Sequence, residues 1–395
     1  MRPSRLMFAA LALCSVSPAL ARDGEGFTDT RELLGEGVDQ NPDLGWQTGL
    51  FGYVRAAYEW VKADPNYEFV GRNDGFIIQH ARVGFEGWNN KHGLRYRIAI
   101  EGASDLPNQI NTPQAEIAVR LRDAFVRYAP SKFIGFQMGQ FKAPFAEEEL
   151  RGSMNLMFSD RAVGIQGVAV GRGFQQAGLE VDRQVGFMIM APETIKIAGD
   201  VGLRYYLMLA NGNGPNQTLD DNGEAAFIGR LEFSYGDYVL LGGAVMMNNR
   251  TEGTLPNLVE EKDLSIAADL LVTVSGFEFF TQLVQRTTEF ETVGATPERK
   301  QLAWHAQVGY EIPLAVPVVP AYRFAYFDPW ASGASADIGA GLDSLALMHH
   351  TMGLRVIYPD RSLGLSLYLN YTLTQEEETR ELENDRFEAL VQLIF

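Results

Sequence analysis

The chain has a single cysteine in 395 residues, Cys14, and it falls in the N-terminal leader. A disulfide framework is therefore excluded. Long hydrophobic runs are also missing. No stretch reaches the ~18–20 apolar residues that a membrane helix needs. Positive charge is in deficit, with 33 Lys and Arg against 50 Asp and Glu, a net charge of −17 and a pI near 4.8. A protein that tracks nucleic-acid phosphates carries a basic excess, so that class is disfavoured. Lysine is the scarcer base, seven residues, and the rest are arginine. Arginine binds oxyanions through a planar fork, so its placement matters. Histidine is rare, and no Gly-x-Ser-x-Gly elbow, zinc-ligand spacing or P-loop occurs. What is plentiful is Gly (40), Phe (24) and Tyr (15), which favours strands and turns over helix. With 46% hydrophobic residues, disorder is a poor reading.

Residues 1–21 read as a secretory signal peptide. Arg2 and Arg5 form the basic region, Leu6 to Val16 the apolar region, and Ala19-Leu20-Ala21 a small-x-small cleavage site. Leu13, before Cys14, is not small, which argues against lipidation. Residues 22–46 are polar, Gly- and acid-rich, and read as a loose N-terminal arm. From 47 to 395 one pattern dominates. Segments of roughly ten residues alternate apolar and polar, separated by turn-formers. Leu94 to Glu101, Val201 to Leu209, Phe277 to Leu283, Leu302 to Tyr310 and Leu363 to Tyr371 all follow it.

A soluble β-sandwich alternates in this way, with its apolar face inward. A membrane barrel inverts the pattern, apolar to lipid and polar to a wet lumen. Three features favour the barrel. Short connections, such as Gly87–Gly93, Ala129–Lys132, Gly236–Asp237 and Ser275–Gly276, alternate with long ones. The long ones include Lys62–Asp74, Lys142–Arg172, Asn211–Glu224, Asn248–Asp263 and Thr288–Arg299. Aromatics such as Tyr58, Trp60, Tyr128, Tyr235, Tyr322 and Tyr371 sit near strand ends, as girdle residues do. The last segment alternates up to a terminal Phe395, resembling the signal read by outer-membrane insertion machinery. Seventeen segments can be marked if Val185–Met190 stands alone. The short/long alternation is kept if Phe174 to Met190 is one irregular strand region, which gives about 16 strands. The predicted fold is an all-β, transmembrane antiparallel β-barrel in the bacterial outer membrane, wide enough for an aqueous channel.

The polar face carries the candidate pore-lining residues Arg55, Arg82, Arg95, Arg97, Arg127, Arg204, Arg230, Arg286, Arg323 and Arg355. Acids are grouped in connections, at Glu147-Glu148-Glu149, Asp220-Asp221, Glu260-Glu261 and Glu376-Glu377-Glu378. Guanidinium rings set anion selectivity locally, whatever the net charge. The competing reading is that lumen Arg and Glu pair and stiffen the wall, as Arg55/Glu59 and Arg97/Glu101 suit. The longest connection carries Lys142, Arg151, Arg161 and Arg172. If it folds inward, these are the candidate constriction and anion-binding residues. If it lies in solvent, they are ordinary surface charges.

Leu121 to Tyr128, then Gly139-Gln140-Phe141-Lys142-Ala143-Pro144-Phe145 with Glu148-Glu149-Leu150, then Phe158 to Ala162, resemble the phosphate-selective porin O and P family. Ile78 to Gly87 resembles that family's second strand. The resemblance runs roughly from Gln47 to Phe395. It implies a homotrimeric, 16-stranded outer-membrane porin with one long inward-folding loop and Arg and Lys guiding anions. Lys142, Arg151 and Arg161 match that loop best. The departures are the paucity of Lys and the strong acidity.

The expected function is therefore passive diffusion of small solutes, anions such as phosphate, through an Arg-lined water-filled pore. No catalysis, cofactor or metal is expected, and no nucleic acid. Outer-membrane lipid and lipopolysaccharide are the expected surroundings, with acid clusters at loop tips bridging to lipopolysaccharide through divalent cations. The alternatives are a closed-lumen structural or adhesive barrel and an outer-membrane hydrolase. His349-His350, adjacent on a strand, point to opposite faces and do not share a metal. Asp220-Asp221-Asn222-Gly223-Glu224 resembles a calcium-loop fragment but lacks the ligand spacing, and reads as an acidic turn.

Overall fold

The computed structural model describes residues 45–395, except 73, 105–116, 170, 255–256, 292–297, 332–345, 361–362 and 378–380. The signal peptide and nearly all of the N-terminal arm lie outside the described residues.

Nineteen strands follow in chain order. They are β1 (Gln47–Val61), β2 (Gly75–Asn89), β3 (Leu94–Ser104), β4 (Ile117–Tyr128), β5 (Gly135–Lys142), β6 (Gly167–Val168), β7 (Gln176–Ala177), β8 (Arg183–Met190), β9 (Ile195–Ala198) and β10 (Val201–Ala210). Then come β11 (Ala226–Tyr235), β12 (Val239–Thr254), β13 (Asn257–Val274), β14 (Phe277–Glu291), β15 (Glu298–Tyr310), β16 (Val318–Asp328), β17 (Leu347–Ile357), β18 (Ser366–Glu376) and β19 (Arg386–Ile394). All but β6 and β7 join one antiparallel sheet. The sheet closes where β1 pairs with β19, from Tyr53 opposite Ile394 to Val61 opposite Arg386. The terminal Phe395 exchanges backbone hydrogen bonds with Gly52, at 2.8 and 2.9 Å. β8 and β9 both pair with β10, end to end, and form a single stave broken at Ala191–Thr194. The barrel therefore has 16 staves. Pro192, which has no N–H for a ladder, sits at the break. The irregularity thus follows Met190, whereas the sequence pattern placed it between Phe174 and Met190.

Period-2 alternation is visible in burial. On β18, Ser366, Tyr368, Asn370 and Thr372 are buried inside while their neighbours face out. On β14, Glu278, Phe280, Gln282 and Val284 are buried and Phe277 and Leu283 are exposed. The outer face carries exposed Leu, Ile, Val, Phe, Tyr and Trp all around the wall. In water this is an aggregation hazard, and in lipid it is the barrel's solvent contact.

Tight turns close one end. Ser275 and Gly276 both have positive φ, 48° and 83°, the two-residue turn that fits the twist of a hairpin. At the other end the wall is uneven. β5 and β8 have eight residues each, whereas β12 and β13 have 16 and 18. Here the structure differs from the sequence reading. Asn248–Asp263 is mostly strand, not loop, and Glu260-Glu261 lies on β13, while of Thr288–Arg299 the residues 288–291 and 298–299 are strand and 292–297 lie outside the described residues. Toward this end the outward positions turn polar, as at Asn249, Thr251, Glu260 and Lys262, so the alternation fades.

The segment Ala143–Asp182 turns into the lumen. Its first and last residues meet, Ala143 N to Asp182 O at 2.9 Å, so it leaves and re-enters the wall at one place. It contains single helical turns at Glu147–Leu150 and Val163–Gln166, a 3-10 turn at Ser153–Asn155, and the hairpin of β6 and β7. Residues 143–160 are buried throughout.

Candidate functional site

The inward segment is seated in two ways. One limb is apolar. Phe145, Val163, Ile165, Leu179 and Val181 pack into a core with Met188, Met208, Ile228, Met246, Val284 and Phe327 of the wall. Each large side chain removed from water contributes about 1.5–3 kcal/mol. A net hydrogen bond gives about 1 kcal/mol, so apolar contact dominates on this side.

The other limb is polar, and its tip is Ser159-Asp160. Asp160 Oδ2 accepts from Arg172 at 2.9 Å and from Arg386 at 3.1 Å, and Oδ1 accepts from Gln79 at 2.8 Å. Burial alone would raise the Asp160 carboxyl, but Arg172, Arg386, Arg55 and Arg323 outweigh it and hold the group ionised. The Ser159 carbonyl accepts from Arg55 at 2.9 Å and from Gln79 at 3.2 Å. Arg323 donates to the carbonyls of Asp160, at 2.9 Å, and Arg161, at 3.3 Å. Gln392 donates to Met154 O and Tyr368 to Leu156 O.

Lys142, at the end of β5, and the three candidate cations of the inward segment are all engaged. Lys142 Nζ donates to Leu150 O and Arg151 O. Arg151 pairs with Glu278 at 2.6 Å and stacks 4.6 Å over Phe280. Arg161 donates to the carbonyls of Glu148 and Arg151. Arg172 pairs with Glu59 and Asp160. All four knot the segment to itself or to the wall.

The ten wall arginines lie inside the barrel and fall into two groups. Arg82 pairs with Glu101, Arg95 and Arg97 with Glu86, and Arg230 with Asp269 and Glu232. Arg323 lies 3.6 Å from Glu148, and Arg127 donates to Gln137. The second group is Arg55, Arg204, Arg286 and Arg355. Among the described residues none of these has a carboxylate within 4.0 Å. They bond instead to Ser159 O, Thr194 Oγ1, Leu179 O with Ser265 Oγ, and Ser366 Oγ. Arg55 and Arg355 share one ring, with guanidinium carbons 5.5 and 5.1 Å from the centre of Tyr368. The pairings Arg55/Glu59 and Arg97/Glu101 do not form. Residues four apart on a strand are about 13 Å apart, whereas cross-strand neighbours are about 5 Å apart. Glu59 serves Arg172, and Glu101 serves Arg82.

The Glu147-Glu148-Glu149 cluster is no surface patch. All three side chains are at most 2% exposed. Glu147 faces Arg230 at 3.3 Å, and Glu148 accepts from Ala162 N. Glu149 accepts from the N–H groups of Val181, at 3.0 Å, and Asp182, at 3.2 Å. Burial, with Glu180 adding to it, pushes the Glu149 carboxyl up to about 8. Burial would raise Asp182 too, but Arg122 and Arg183 outweigh it and hold it at about 2. Because the folded value of Glu149 lies above its unfolded one, its protonation stabilises the seated segment at low pH. That contribution is lost as pH rises past about 4.5 through about 8. The barrel is expected to melt lower at pH 9 than at pH 6, by an amount on the order of a few kcal/mol, and Glu149→Gln is expected to flatten the difference. Thermal melts at the two pH values check this.

Above the segment an open cavity of about 510 Å³ is lined by Glu180, Asp182, Asn213, Asn248, Arg250 and Arg286, among others. Val181, Ile228 and Met246 also line it. Among the described residues no group of three His, Cys, Asp or Glu side chains is placed to hold a metal ion. His350 bonds outward to Tyr322 at 2.7 Å, and His349 lines small cavities with Arg172 and Asn384.

Sequence reasoning placed Glu149 in an acidic connection and Asp160 in a family-like stretch without giving either a role, and did not single out Arg386 or the apolar lumen face. The last had a signal. Gly186 to Met190 is apolar on both faces, and so is Tyr205 to Ala210, although Val201 to Leu209 reads as alternating above; a strand between lipid and water is not apolar on both faces.

The comparisons agree with this architecture. Residues 53–218 match the family model described as phosphate-selective porin O and P. The outer membrane channel DcaP of Acinetobacter baumannii superposes with a TM-score of 0.59 at 12% identity, covering 89% of this chain and 98% of that one. The anion-selective porin from Comamonas acidovorans gives 0.56 at 14%, with coverages of 89% and 100%. OmpF of Salmonella typhi, in complex with daunomycin, gives 0.57 at 12%, with 89% and 98%. At these identities the likeness is one of fold. No curated protein sequence matches the chain.

Proposed function

From a 16-stave barrel that matches the phosphate-selective porin O and P family over residues 53–218, we propose passage of small anions, phosphate among them, along a file of arginines without a close carboxylate partner. The chain is an outer-membrane porin. One observation carries the anion reading. In an acidic chain, Arg55, Arg204, Arg286 and Arg355 keep their charge uncancelled by any carboxylate within 4.0 Å among the described residues. They lie at successive depths. Arg286 lines the outer cavity, Arg55 lies under the tip of the inward segment, and Arg355 and Arg204 lie toward the tight-turn end. Guanidinium groups offer oxyanions charge-assisted bonds, and several weak sites in series allow release. The paired wall arginines, Arg82, Arg95, Arg97, Arg127, Arg230 and Arg323, hold the lumen rigid and contribute to its field. Lys142, Arg151, Arg161 and Arg172 set the bore by fixing the inward segment.

The chain in this reading assembles as a homotrimer within lipid and lipopolysaccharide. Mass analysis of the detergent-extracted protein tests that assembly. One observation favours a sealed barrel, since residues 143–160 are buried throughout. Planar-bilayer recordings separate the two readings. Small unitary steps whose current falls as phosphate is titrated in support the porin. Arg286→Ala is expected to raise the phosphate needed for half-block by about tenfold, the loss of one charge-assisted contact worth ~1.4 kcal/mol. The absence of any conductance identifies a sealed barrel.

A further inference from the structure

The tip of the inward segment is held as an anion would be held. Ser159-Asp160 presents a carboxylate and two carbonyls, followed by the carbonyl of Arg161. These oxygens receive donors from Arg55, Arg172, Arg323, Arg386 and Gln79, at 2.8–3.3 Å. Yet the tip does not exhaust them. Arg55 is 0% exposed, and its Nε and Nη1 have no acceptor among the described residues. The Nε of Arg323 is likewise unmatched. Buried guanidinium donors without acceptors are costly, and here they border the only carboxylate on the tip.

We propose that Asp160, with the carbonyls beside it, is a tethered stand-in for the permeating solute. The wall cluster of Arg55, Arg323, Arg386 and Gln79 is then an oxyanion site that the tip occupies at rest. The inference rests on the porin reading for the route by which the anion arrives. Phosphate or sulfate brings several charged oxygens to Arg55 and Arg323, whose contacts with the tip are now neutral carbonyls. Charge-assisted bonds are roughly twice as strong as neutral ones, so the exchange favours the anion at each of those donors. Opposing this, Asp160 is attached and competes at high effective concentration. The result is a weak, saturable site, and occupancy displaces the tip from the passage. Weak binding is what transport needs, since the solute must also leave.

The test compares Asp160→Asn with Glu278→Gln. Both remove one buried lumen carboxylate, but Glu278 faces Arg151 on another part of the wall. If Asp160 competes with the solute, Asp160→Asn lowers the phosphate concentration for half-block at least tenfold and Glu278→Gln does not. Equal effects in the two variants reduce the result to mean lumen charge and overturn the proposal, as does an unchanged Asp160→Asn. Calorimetric titration of phosphate into detergent-purified protein needs no current. Tighter binding by Asp160→Asn without conductance retires the porin and keeps the site. Conductance without tighter binding retires the site and keeps the porin. A second variant covers misfolding of the first. In Ser159→Cys, millimolar phosphate is expected to speed modification by a charged thiol reagent severalfold, while chloride at equal ionic strength does not. Protection or no change contradicts tip displacement.

Discussion

Replacing Pro144–Val181 by a two-residue Asn-Gly turn is expected to raise the unitary conductance severalfold. The deletion is feasible because Ala143 and Asp182 are already hydrogen-bonded, and Lys142 lies opposite Arg183 at the end of the β5–β8 ladder. The wall hydrogen bonds close the barrel without help from the segment. The apolar lumen patch of Met188, Met208, Ile228, Met246 and Phe327 becomes wetted, so stability falls while the bore widens. Anion preference is expected to persist, because Arg55, Arg204, Arg286 and Arg355 sit on the wall. Bilayer recording of the shortened chain checks both parts. A conductance equal to that of the full chain would mean the segment is not the constriction.

The second large effect is on stability. Arg230 is fully buried and is gripped from two sides. Asp269 takes both terminal nitrogens at 2.7 and 2.8 Å, Glu232 takes Nε at 2.7 Å, and Arg230 also donates to Phe145 O. The space for this fork comes from Gly242, where a Cβ would lie 2.2 Å from Nη2 and 2.3 Å from Asp269 Oδ1. Arg230→Ala removes the cation shared by the buried Asp269 and Glu232, and leaves Glu147 to Arg151, 3.8 Å away. Breaking one side of a buried pair costs about 3–5 kcal/mol. The temperature at which the folded band is lost from heat-modifiable gels is expected to drop markedly, and conductance to become noisy as the segment loosens. Asp269→Asn in the same chain is expected to recover part of the loss, a coupling that a mutant cycle measures. An Arg230→Ala barrel as heat-stable as its parent would remove this cluster from the account.

Much of this was legible in the linear sequence, for a physical reason. Lipid and water on opposite faces force an alternation that needs no knowledge of neighbours, so β14 and β18 were readable residue by residue. The closing strand ending in Phe395 and the long connection after Lys142 were readable as well. What a strand pairs with across the sheet was not. Arg97 finds Glu86 and not Glu101 because cross-strand register, invisible in one dimension, decides the contact. The same limit hid Asp160, an unremarkable acid in the chain and the focus of four arginines in the fold. Glu147-Glu148-Glu149 reads as a surface patch by composition, yet it is buried because the segment enters the lumen. The β12–β13 extension reads as a loop because its outward positions, such as Asn249, Thr251, Glu260 and Lys262, are polar.

The central claim is that an acidic chain encloses an anion-selective path. The zero-current potential of the wild-type protein in a planar bilayer, under a potassium chloride gradient at pH 6, tests it most directly. A potential of the sign set by chloride flow is the expected result. A potential set by potassium flow would contradict the account, because the buried carboxylates, and not Arg55, Arg204, Arg286 and Arg355, would then govern the pore.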